Sequence, residues 1–244
     1  MIRILSGLAL LFCICGVAPR AQAQSDGGLY RVDLRIDLPL IALGGAVSIG
    51  GLLQRSELPA CAPHCDASTL NALDRSAIHF RSSGAALAAT LMLPVLLIGP
   101  LVLSVLDGPW NELVDTVIVM TEALALTQTI TQLTKFSVNR YSPALFSGDP
   151  DHPSLHDFDT TRSFFSAHTS STFSVTTAFT VSYWLRHPHN PMRFVVLGAS
   201  VLLSLTTGFF TVMAGQHFWT DVAAGAVAGA AVGALVPFAH VRFD

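Results

Sequence analysis

Six apolar runs dominate this chain: 38–54, 84–106, 111–134, 169–186, 193–213 and 221–238. Each is close to the ~20 residues that a helix needs to cross a hydrocarbon core, the first and last being short. Inside lipid every backbone N–H and C=O must find a partner within the chain, which favours helices. The alternating pattern of a membrane barrel is absent. Composition agrees, with 51% hydrophobic residues, only 12% charged and a mean hydropathy of +0.56. A soluble domain carries about 25% charged residues, so lipid must cover much of this surface. The expected fold is all-α, an integral-membrane bundle of about six transmembrane helices. A net charge of −3 and the lack of a basic run give nucleic acid no electrostatic footing.

Ahead of the runs, residues 1–23 read as a signal peptide. Arg3 supplies the positive start, residues 4–17 the apolar stretch, and Ala21-Gln22-Ala23 a small-residue cleavage site. Residues 24–37 read as a short exposed lead-in, and 38–244 as the membrane domain. Cys13 and Cys15 fall in the signal, which leaves Cys61 and Cys65 in the stretch CAPHC. In an exported loop these two favour a disulfide. A metal site of Cys61, His64 and Cys65 lacks an obvious fourth ligand.

The third run is unusually polar, carrying Glu112, Asp115, Glu122, Gln128 and Gln132. Glu122 facing lipid would be costly, so this helix belongs inside the bundle, with the carboxyl either functional or bonded to a neighbour. Gly225, Gly229 and Gly233 recur every four residues in the last run, a stripe that permits close helix contact. With six spans, the loops 55–83 and 135–168 and the turn 214–220 fall on one side of the membrane. That gathers the polar loops at one rim, where a site for a lipid headgroup belongs.

Three stretches at this rim carry chemistry. They are Lys135 to Pro143, Ser163 to Thr169, and Gly215 to Val222. Singly, each has an ordinary reading: an interfacial Lys snorkels, Ser166 or Thr169 caps a helix, His217 bonds a neighbour. Together, in order and spacing, they resemble the three signatures of the type 2 phosphatidic acid phosphatase and haloperoxidase superfamily. That pattern runs Lys, six residues, Arg-Pro; then Pro-Ser-Gly-His; then Ser-Arg, five residues, His, three residues, Asp. Lys135 and Pro143 match the first, Ser166 and His168 the second, His217 and Asp221 the third. The six-span layout is similar to the lipid-phosphatase branch.

The resemblance implies a phospholipid or isoprenoid phosphate substrate, with no cofactor and no metal. His217 would attack phosphorus, Asp221 would orient it, and His168 would protonate the leaving alkoxide. Lys135, Ser166 and the Ala167 amide would hold the phosphate oxygens at a helix N-terminus. The chain departs from the pattern at Ser142 and Thr211, where the family has arginines, and at Phe165 and Ala167. Neither Ser nor Thr replaces a bidentate charged donor. Arg140, and after it Arg162, are the candidates to substitute; their alternative partners are lipid headgroups or loop carboxylates such as Asp149, Asp151, Asp157 and Asp159. The segment DHPSLHDFD, with His152 and His156, reads as a solvated loop or a metal site. A noncatalytic headgroup-binding or partner-binding descendant is the competing reading, and a transporter built on Glu122 a third.

The implied setting is a bacterial inner membrane with the site on the periplasmic side. Arg31, Arg35, Arg186, Arg193 and Arg242 lie on the short-loop side, which the positive-inside rule assigns to the cytoplasm. A disulfide at Cys61 and Cys65 agrees with that orientation. A cleaved signal followed by six spans opposes it.

Overall fold

The computed structural model describes residues 28–54, 57–107 and 110–242. The expected signal peptide and residues 24–27 of the lead-in lie outside these. Six long helices are present among the described residues: α1 (Leu34–Leu53), α2 (Ser83–Asp107), α3 (Trp110–Val138), α4 (Ala167–Arg186), α5 (Met192–Met213) and α6 (Trp219–His240). Among the described residues the only β-pairing is one isolated bridge, Tyr30 to Val241. Loop 55–83 adds a short helical turn, Ala72–Arg75.

Among the described residues, five helices are long and apolar enough to cross a membrane; α4 is not among them. The reason lies in its position. α4 is the central helix, in contact with α2, α3, α5 and α6, so protein rather than lipid surrounds it. Its Ser and Thr residues serve as hydrogen-bonding groups toward two neighbours. On the α3 side, Thr127 donates to Ser174 at 2.9 Å, Thr131 meets Ser170 at 3.1 Å, and Gln128 donates to Ser171. On the α5 side, Thr176 meets Ser204 and Thr180 meets Ser200, both at 2.9 Å. Such interhelical bonds contribute ~0.6 kcal/mol each in a membrane protein.

The glycine stripe of α6 packs on α4, its most extensive partner. A Cβ on Gly225 would stand 2.9 Å from the Ser166 carbonyl oxygen. At Gly229 and Gly233 the overlap with the Ser170 and Ser174 carbonyl oxygens would be deeper still. Two stripes at four-residue spacing, glycine on α6 and serine on α4, thus bring the backbones together as small residues allow.

The polar third run is an inner helix, as its sequence predicts. Thr116, Val119, Glu122, Thr127, Thr131 and Lys135 are all buried along α3. The lead-in departs from expectation. Helix α1 begins at Leu34 because Asp33 caps it, accepting from the Arg35 amide at 3.0 Å. Tyr30 is buried against the bundle, not exposed, and its hydroxyl donates to Ser182 at 2.6 Å. An aromatic ring with one polar tip is favourable to bury once the hydroxyl has a partner.

Candidate active site

The loops 57–82 and 139–166 and the turn 214–218 meet at one end of the bundle. Cys61 and Cys65 are joined as a disulfide there, with Cα atoms 4.7 Å apart. Lys135, in the last turn of α3, is almost fully buried. Its ammonium donates to the Arg162 carbonyl at 2.7 Å and pairs with Asp159 at 3.0 Å. Ser166 is the N-cap of α4 and accepts from the Thr169 amide and hydroxyl, leaving Ala167 and His168 in the first turn. The Ser166 amide donates to the Asp221 carbonyl at 3.2 Å, which sets the start of α4 against the start of α6. The segments that carry Lys135, Ser166 and Asp221 thus meet at this rim, with a further carboxylate, Asp159, paired to Lys135.

His217 is buried, and its Nδ1 is sealed from solvent without a hydrogen-bond partner. Asp221 Oδ2 stands 3.8 Å from that nitrogen, beyond hydrogen-bond length. The two residues do not share a helical turn. Helix α6 begins at Trp219, so His217 precedes it, and Asp221 turns back to accept from the Phe218 amide at 2.9 Å. Its other oxygen, Oδ1, accepts from Arg140 at 2.5 Å.

Arg140 is the hub of this rim. Besides Asp221 it donates to the Thr220 hydroxyl at 2.7 Å and to Asp74 at 2.8 Å, and its guanidinium lies over the Phe218 ring at 4.4 Å. Asp74, fully buried, also accepts from Asn71 and from the amide and hydroxyl of Thr220. Burial alone would raise the Asp74 pKa. The hydrogen bonds from Arg140, Thr220 and Asn71 outweigh burial and hold it below the usual carboxylate range. Asp74 thereby fastens loop 55–83 to the positive N-terminus of α6.

Both candidates to replace the missing arginines have protein partners. Arg140 is held by two carboxylates and a hydroxyl, and Arg162 by the Gln54 carbonyl and side chain and the Phe136 ring. At the two departures, the buried Ser142 hydroxyl has no partner and Thr211 bonds the Gly208 carbonyl within its own helix. His152 has both ring nitrogens engaged by backbone, Nδ1 by the Ser154 amide and Nε2 by the Phe80 carbonyl, which leaves it no metal-binding nitrogen. Nothing in the sequence marks Asp74 or Thr220, and it offers Asp159 only as a partner for Arg140 or Arg162, not for Lys135. A lone Asp in a polar loop carries no local signal of which distant cation it meets.

The all-helical bundle, with five of its described helices long and apolar enough to span a bilayer, is compatible with a multi-pass membrane protein. The chain belongs to the PAP2 superfamily, whose family model matches residues 116–243, just over half of its length. Membership supports phosphatase-type activity in general. The matched region holds Lys135, His168 and His217 but not Asp74. No curated protein and no solved structure shows significant similarity to the chain.

Proposed function

We propose that this protein hydrolyses a phosphorylated lipid or isoprenoid at the membrane surface through a phosphohistidine. The meeting of the end of α3 with the starts of α4 and α6 at one rim, which carries Lys135, His168 and His217, supports the reading. His217 Nε2 forms a bond to phosphorus as the bond to the alkoxide leaving group breaks, and His168 gives that oxygen its proton. Water then attacks phosphorus, passing its proton to His168, and the N–P bond breaks to release phosphate. The Ala167 amide, at the N-terminus of α4, and the Lys135 ammonium would take the phosphate oxygens. Asp221 would orient His217 after a small ring movement closes the 3.8 Å gap.

Protein purified in detergent is expected to release phosphate from phosphatidate or prenyl diphosphate, and His217→Ala to reduce the rate to background, a loss of at least about a thousandfold. Equal background for wild type and His217→Ala across a broad phosphoester panel would sink the enzyme reading. One observation favours a second reading, a catalytically weak or inactive family member that binds a partner protein: Lys135, Arg140 and Arg162 all have protein acceptors.

Asp159 gives a finer test. Phosphate must share Lys135 with that carboxylate, and a like charge a few ångströms away opposes a bound anion by about 1 kcal/mol. Asp159→Asn is expected to tighten binding of inorganic phosphate or vanadate about fivefold. Unchanged or weaker binding would show that the anion does not reach Lys135.

We further propose a bacterial inner membrane with the site facing the periplasm. The disulfide in the site-side loop and the arginines at the opposite end support that orientation. Single cysteines placed in loop 57–82 should be labelled by a membrane-impermeant thiol reagent in intact spheroplasts. Labelling only after lysis would reverse the orientation.

A further inference from the structure

Three ionisable groups meet at the other end of the bundle, on three different helices. Asp37 is in the first turn of α1, Glu122 is midway along α3, and His240 is the last residue of α6. His240 Nε2 lies 3.2 Å from Glu122 Oε2 and 3.6 Å from Asp37 Oδ1, and one atom from each residue lies within 4.8 Å of the others. Asp37 and Glu122 are buried and His240 is half-buried. Along α6, His240 is ~28 Å from Asp221 at 1.5 Å per residue, so this cluster is separate from the histidines of the rim.

The orientation of each group is set from outside the cluster. His240 Nδ1 is 2.9 Å from the Val236 carbonyl, which fixes the proton on Nδ1 and turns the Nε2 lone pair toward the carboxylates. Asp37 Oδ2 accepts from the Asp33 amide at 2.9 Å, leaving Oδ1 to face His240. Glu122 Oε2 is sealed from solvent and accepts no hydrogen bond, although it is aimed at the imidazole. Second partners that fix a histidine tautomer and a carboxylate are what metal ligands have. Three lone pairs converging without a proton between them repel one another, and an imidazolium would still leave one net negative charge in a membrane protein's interior.

We infer that Asp37, Glu122 and His240 form a binding site for a divalent transition metal of the zinc class. Two carboxylates and a neutral imidazole balance a 2+ ion to zero charge. In a tetrahedron with metal–ligand bonds of ~2.0–2.2 Å the ligand atoms stand about 3.4 Å apart, close to the 3.2 and 3.6 Å seen here. A water completes the fourth position. One imidazole with two carboxylates suits zinc better than magnesium, which demands an octahedron of oxygens. The ion would tie α1, α3 and α6 together at the end where Tyr30 and Val241 also pair.

The test uses full-length protein in detergent, carrying a purification tag free of histidine. After chelator treatment it is titrated with Zn2+, Mn2+ and Mg2+, and bound metal per chain and Tm are measured. About one equivalent of Zn2+ retained after desalting, with a raised Tm, is the expected result. Glu122→Gln and His240→Gln should weaken binding at least about tenfold and remove the Tm rise, whereas His217→Ala and His152→Ala keep both. Glu122→Gln preserves shape and decides the matter if His240→Gln fails to give monodisperse protein. No saturable Zn2+ binding overturns the inference, as does binding that Glu122→Gln leaves unchanged. A Tm that follows pH through Glu122 with no metal retained also overturns it, marking a proton-only triad.

Discussion

Gly229→Leu is expected to remove most of the folded, monodisperse protein from a detergent preparation. The Cβ of any residue at 229 would overlap the carbonyl oxygen of Ser170 in α4, and that oxygen is backbone. Overpacking that side chains can absorb costs about 1–3 kcal/mol. Here no rotamer relieves the overlap, so α6 must lift from α4 along the stripe shared by Gly225, Gly229 and Gly233. The expected cost exceeds about 3 kcal/mol, a large share of the 5–15 kcal/mol that stabilises a typical domain. Gly198→Ala supplies the contrast. A Cβ at Gly198 meets nothing within 4 Å, and alanine is the better helix former, so its Tm should hold or rise slightly. Size-exclusion profiles and thermal unfolding in one detergent read both variants. Equal Tm for Gly229→Leu and wild type would refute the close α4–α6 contact.

Arg140→Ala is the second large effect, and it separates two roles for one residue. If Arg140 clamps substrate phosphate, the variant loses affinity for substrate while its Tm stays put. The structure makes it a structural hub instead, with Asp74, Asp221 and Thr220 all accepting from it. Removing the cation strands Asp74, which is fully buried, and one oxygen of Asp221. Breaking a buried pair costs about 3–5 kcal/mol, and the partial exposure of the Arg140 side chain places this one near the lower end. Tm should therefore fall without any phosphate present, and Arg140→Lys, a single point charge, should recover only part of it. The pH dependence has a definite sign. The folded-state pKa of Asp74 is depressed, so its stabilisation is present above the unfolded carboxylate pKa and is lost as pH falls through that value and below. Asp74→Asn should flatten the acid limb of the stability curve.

Much of the site was legible before folding was considered. Lys135, His168 and His217 sit in three short stretches whose order and spacing matched a family pattern, and spacing survives as sequence. The partners of those groups were not legible. Asp159 beside Lys135 and Asp74 beside Arg140 join positions 24 and 66 residues apart, and no local pattern announces such a pair. The hydrogen bond of Asp221 to the start of its own helix was not legible either. Spacing of four residues implies a shared helical face only inside a helix, and α6 begins two residues after His217. At the third position of a helix, a carboxylate is drawn to the exposed amides of the first turn before it reaches a neighbouring ring.

The apolar runs determined by themselves that the chain forms helices of bilayer length, because chain hydropathy and backbone satisfaction act locally and along the sequence. They did not rank the helices. The run at 169–186 looked like the other spans, yet α4 is the protein-surrounded centre, and only tertiary contact makes its hydroxyls partners instead of liabilities. Likewise Glu122 was visibly out of place in an apolar run, but its meeting with Asp37 and His240 required three helices to be packed. Hydrophobic length is a property of one segment. The encounter of charges from distant segments is decided by packing, because Coulomb and hydrogen-bond energies depend on distances that only the folded bundle sets.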